Sequence, residues 1–108
     1  MNAIKAPQSQ TKESPRRLIL VDIENFNGLA VQSAAQAKWC KKMLTLWLDI
    51  KEGEIVVIAS DQSGLFNVNA GWKGPRLLMG EGPNGADRRL VEEIERMNIG
   101  QFDEIALV

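Results

Sequence analysis

Leu18–Val21 and the stretch EIVVIAS, residues 54 to 60, are apolar runs without polar alternation, separated by a segment of helical periodicity. Strands that are apolar on both faces belong to parallel sheets covered by helices on each side, so this pattern restricts the chain to an α/β architecture. Between the two runs, residues 31 to 50 place Ala35, Trp39, Met43 and Leu46 at helical spacing, with Lys38, Lys41 and Lys42 turned outward. The spacing predicts a helix that buries this stripe and ends near Gly53. A short helix is expected around Gly64 to Trp72, and a third strand over Arg76 to Met79. Ala86 to Met97 reads as a helix with the apolar stripe Leu90, Val91, Ile94 and Met97, and Phe102 to Val108 as a fourth strand. The order βαβαβαβ over residues 16 to 108 describes one domain with a parallel sheet of about four strands. Residues 1 to 15, MNAIKAPQSQTKESP, read as a disordered tail.

Composition removes several kinds of chemistry. The chain has no histidine, which excludes histidine triads, H-E-x-x-H zinc sites and imidazole acid–base catalysis. Its one cysteine, Cys40, cannot form an internal disulfide or a cysteine zinc site, and it lies in an apolar helical stretch as a buried structural thiol. With 13 Lys+Arg against 14 Asp+Glu, the net charge of −1 gives no global attraction to nucleic acid or membrane. No apolar run is long enough to cross a bilayer, and the first residues lack the apolar core of a signal peptide. A single thiol and no leader fit a cytoplasmic protein without a membrane partner.

A parallel sheet places its site outside the carboxyl ends of its strands. There the chain puts Asp22, Glu24 and Asn25 after strand one, Ser60 and Asp61 after strand two, and a Gly-rich loop leading to Asp87 after strand three. If strand one stays extended, Asp22 and Glu24 share a face. Carboxylates gathered at one rim raise each other's pKa unless a cation relieves them. Oxygen donors without thiol or imidazole suit Mg²⁺ or Mn²⁺. Each acid has a structural alternative as a turn or cap residue, Asp87 at its helix start in particular.

Gly80, Gly82 and Gly85 match G-x-G-x-x-G, the dinucleotide fingerprint. That motif belongs in the first βα turn, whereas here it stands in the third unit. Asp103, the acid downstream, begins a strand rather than ending one, and Pro83 removes an N–H from the loop. The glycines are better read as freeing the backbone to bring Asp87 to the rim.

LILVDIENF, GADRRLVEEI and FDEIALV together resemble the NYN domain, a branch of the PIN-like nucleases. The matching positions are Asp22-Ile23-Glu24-Asn25, Gly85-Ala86-Asp87 and the strand Ile105-Ala106-Leu107-Val108. The resemblance implies a three-layer α/β/α domain with strand order 3-2-1-4. It also implies a ribonuclease dependent on Mg²⁺ or Mn²⁺ that acts on single-stranded RNA. Asp22 and Asp87 would be metal-site acids, Glu24 an auxiliary ligand, and Asn25 an orienting residue. Lys73, Arg88 and Arg89 are candidates for contacting RNA phosphates. The family's closing Gly-Asp-x-Asp segment would follow Val108, so the resemblance implies an incomplete domain, truncated at its C-terminus, that cleaves RNA weakly or not at all. The uncovered last strand is then expected to self-associate, for example as a homodimer. A non-catalytic RNA- or protein-binding module on the same fold is the alternative.

Overall fold

The structure is a computed structural model in which the described residues are 16 to 108 apart from Pro83. The expected tail and the proline of the Gly-rich loop lie outside them. The elements run in the order β1 (Arg17–Asp22), α1 (Ile23–Asn27), α2 (Ala34–Leu48), β2 (Ile55–Ser60), α3 (Gln62–Gly71), β3 (Arg76–Met79), α4 (Gly85–Arg96), a 3₁₀ turn (Ile99–Gln101) and β4 (Glu104–Leu107). The sheet has the order β3-β2-β1-β4 with every pair parallel. The α/β class and the expected strand order are therefore observed. The central strands β1 and β2 are the longest apolar runs, with Leu18, Ile19, Leu20, Val21, Val57 and Ile58 all fully buried.

The core is divided by the sheet. On one face Ile19, Val21, Val56 and Ile58 pack with Ala37, Cys40 and Leu44 of α2, Val68 of α3 and Trp72, which caps α3. On the other, Leu18, Leu20, Val57, Ala59 and Leu78 meet Ala86 and Leu90 of α4. Three layers result, with α1 to α3 on one side and α4 on the other.

Three local expectations are corrected. In α2 the buried residues are Ala37, Cys40 and Leu44, while the stripe expected inward, Ala35, Trp39, Met43 and Leu46, is exposed. Close packing against α3 explains the choice. Gly71 sits so near that an added Cβ would lie 2.4 Å from the Ala34 carbonyl oxygen and 2.7 Å from the Ala37 Cβ, and only small residues permit that approach. The helix also ends earlier than Gly53, at Asp49, which takes the left-handed conformation with φ 53°. In α4, Val91 is 54% exposed and Glu93 is buried in its stead. The carboxylate of Glu93 goes inside because Arg76 and Arg96 bind it at 2.6 and 2.7 Å.

Candidate functional site

Asp22 is the last residue of β1 and also the N-cap of α1, its carboxylate accepting from the backbone N–H of Asn25 at 3.2 Å. The strand therefore does not stay extended. The chain turns helical at Ile23, and Asp22 and Glu24 do not share a strand face. Asn25 holds Asp22 through its backbone. Its side-chain amide is exposed at the rim.

Asp22 and Asp87 come together. Asp87 stands in the first turn of α4 and lines the same hollow as Asp22, near enough for its carboxyl to act on that of Asp22. Burial pushes the Asp22 pKa above its ordinary value, the neighbouring Asp87 carboxyl adds to that, and the Asn25 N–H opposes it. Glu24 instead reaches Asp61, the N-cap of α3, accepting from its backbone N–H at 3.0 Å. Burial and the Asp61 carboxyl both raise the Glu24 pKa. For Asp61, burial pushes upward, but its hydrogen bonds with Glu24, Gly64 and Ser63 leave its pKa below the ordinary value. The rim thus contains two carboxyl pairs, Asp22 with Asp87 and Glu24 with Asp61. Together they line a polar hollow of about 390 Å³ bounded by Asn25, Gly80, Gly82 and Gly85.

The Gly-rich loop is built for close approach. A Cβ on Gly80 would lie 2.4 Å from the Ala86 nitrogen and from the Gly85 carbonyl carbon, and one on Gly85 would lie 2.8 Å from the Gly80 carbonyl carbon. Backbone packs on backbone where a dinucleotide loop would hold a pyrophosphate. Gly80 N–H is itself bound to the Ser60 carbonyl at 2.9 Å. The contact fixes the start of α4 against the ends of β2 and β3, and so sets where Asp87 lies.

The basic candidates separate. Arg88 follows Asp87 and donates to the Glu81 carbonyl at 2.7 Å, alongside the Gly-rich loop. Arg89 is ion-paired with Glu92 at 2.8 Å. Lys73 lies elsewhere. It precedes β3, so it stands at the amino edge of the sheet, lining a different hollow with Glu52, Gly53 and Glu54. Lys73 therefore stands at the opposite end of the sheet from the acidic rim. Cys40 is buried, its thiol facing the Asn27 amide oxygen at 3.7 Å, and burial raises its pKa, as fits a structural thiol. The sequence places Asp61 after strand two without pairing it to another acid. Its pairing with Glu24 depends on the turn at Ile23, which apolar periodicity does not register.

No family model, curated protein or solved structure matches the chain. Among the described residues no helix is long and apolar enough to cross a membrane.

Proposed function

We propose that the chain is a ribonuclease domain of the NYN type, hydrolysing phosphodiester bonds of single-stranded RNA with Mg²⁺ or Mn²⁺. The observation that carries this reading is the Asp22–Asp87 pair, two carboxyls from different elements that line one open polar hollow and act on each other's charge. Such a pair is unfavourable at neutral pH without a cation or a retained proton. The donor set fits the ion class. Mg²⁺ is held by as few as one or two carboxylates and otherwise keeps water or takes substrate phosphate. Among the described residues there is no thiol or imidazole at the rim to favour a softer metal.

In this reading Asp22 and Asp87 are the ion's protein ligands, and Glu24 is an auxiliary acid held back by Asp61. The Asn25 N–H orients Asp22, and Arg88 is placed to meet a phosphate that enters over the Gly-rich loop. A bound divalent ion would neutralise phosphate charge and lower the pKa of water, which is how such a site works without histidine. The rigid Gly80–Gly85 contact matters because a misplacement of about 1 Å can cost roughly a hundredfold in rate.

A non-catalytic binding module on the same fold is the second reading. One observation favours it: among the described residues no three acidic or thiol side chains gather closely enough to hold a metal ion. Labelled single-stranded RNA incubated with Mn²⁺ or Mg²⁺ separates the two. Metal-dependent cleavage that disappears in both Asp22→Asn and Asp87→Asn supports the nuclease. Retention of RNA without cleavage supports the binding module, and cleavage untouched by Asp22→Asn ends the first reading.

A further inference from the structure

The exposed side of α2 carries a stripe that the acidic rim does not use. Trp39, Met43, Leu46 and Trp47 are 53%, 38%, 69% and 70% exposed and follow one another at i, i+4, i+7 and i+8. Phe26 lies between the two indoles, its ring centroid 6.0 Å from that of Trp39 and 6.3 Å from that of Trp47. The stripe is on the flank of α2 away from α3, because Gly71 of α3 packs on Ala34 and Ala37. A contiguous run of large apolar side chains on this scale marks an interaction surface.

The connections of the sheet set which described helices share the α2 face. The steps from β1 to β2 and from β2 to β3 move one way across the sheet, with their helices on the α2 face. The step from β3 to β4 moves back with α4 on the opposite face. Among the described residues no element covers the stripe on α2.

We infer that this flank docks an amphipathic helix of a partner protein, with acidic residues along its margin. A helix packed about 8–10 Å from α2 in the same layer would lie over β4, where Ala106 and Val108 are only half-buried. Charge selects the partner. Lys38, Lys41 and Lys42 are exposed on α2, the helix contains no acid, and none of the three is ion-paired among the described residues. A second copy of the chain fits poorly: a two-fold axis at Met43 sets Lys42 against its own counterpart and supplies no carboxylate. Single-stranded RNA would stack on Trp39 and Trp47 alone and leave Met43 and Leu46 between them without a partner.

The test uses two synthetic peptides of about five helical turns, each with the same leucine stripe, one margined by Glu and the other by Lys. Trp72 is only 5% exposed, so a change in tryptophan emission reports on Trp39 and Trp47. The Glu peptide is expected to bind saturably with a blue shift, and the Lys peptide about tenfold or more weaker. Trp47→Ala should weaken the Glu peptide by a similar factor, and Lys38→Glu with Lys42→Glu should remove its advantage, with far-ultraviolet dichroism confirming that the variants fold. Equal affinity for both peptides, or binding of neither, overturns the inference. So does displacement of the Glu peptide by oligouridine. Concentration-dependent dimerisation in sedimentation, lost in Trp47→Ala, would assign the flank to a second copy instead.

Discussion

Asp22 at the end of β1 and Asp87 in the first turn of α4 line one hollow as electrostatic neighbours, although 65 positions separate them in the chain. Burial and this neighbour raise the Asp22 pKa above its ordinary 3.8. The folded protein therefore holds that proton more tightly than the unfolded chain does. The resulting stabilisation is complete below the ordinary value and is lost as pH rises through the higher folded value. Asp22→Asn keeps an acceptor for the Asn25 N–H and removes the charge. In metal-free buffer near neutral pH it should melt above the parent, by about 4–8 °C for each ~1 kcal/mol relieved. The gap should close as the pH falls toward about 4. A variant that melts lower than the parent at neutral pH would contradict the repulsion.

The same repulsion predicts a response to metal. An ion that binds the folded state alone raises its melting temperature according to its concentration relative to Kd. Millimolar Mg²⁺ or Mn²⁺ should raise the midpoint near neutral pH, and the rise should vanish in the Asp22→Asn, Asp87→Asn double variant. Differential scanning calorimetry with and without chelator measures both. Equal shifts in the parent and the double variant would mean that the ion binds elsewhere.

Much of this was legible in the sequence, for identifiable reasons. Leu18–Val21 and Val56–Ala59 are apolar on both faces, which marks them as buried strands of a parallel sheet with the following acids at its carboxyl edge, whereas the strand order came from the resemblance. The buried side of α2 was not legible. AAQAKWCKKMLTLWL carries two apolar stripes, and residue size favours the wrong one. The choice was made by Gly71, a residue of α3 that touches Ala34 and Ala37 through tertiary packing alone. The pairing of Glu24 with Asp61 was hidden by the turn at Ile23, where the Asp22 cap overrides the strand. Glu93 was hidden by its partners, because Arg76 lies on another element.

Glu93 is 1% exposed, while the side chains of Arg76 and Arg96 are 53% and 61% exposed. This asymmetry orders the outcome of mutation. Removing both arginines strands a buried carboxylate, whereas replacing the carboxylate with an apolar side chain lets the arginines hydrate. Arg76→Ala with Arg96→Ala should therefore lower the melting temperature near neutral pH more than Glu93→Met does. The Glu93 pKa is held below its ordinary 4.5 by Arg96 and then Arg76. That contribution is present above 4.5 and is lost as pH falls through the lower folded value. The difference between the variants should shrink in acid, and an unchanged difference would show that packing rather than charge sets it.

Gly80 joins fold to site most directly, because its contact with Gly85 fixes the helix that carries Asp87. A methyl group there would stand 2.4 Å from two backbone atoms, and backbone cannot yield as a flexible side chain can. Gly80→Ala must push the start of α4 away from β3, at about 1–3 kcal/mol for overpacking. Asp87 moves with it, so the variant should lose most of its metal-induced rise in melting temperature as well as stability. Gly53→Ala is the control: φ is 94° there with open space around the missing Cβ, and it lies at the amino edge. The left-handed conformation costs an alanine about 1–2 kcal/mol, so Gly53→Ala is comparably destabilised but should keep the full metal response. Melting each protein with and without Mg²⁺ separates the two effects. A Gly80→Ala protein that responds to metal as strongly as Gly53→Ala would show that the glycine contact does not position Asp87.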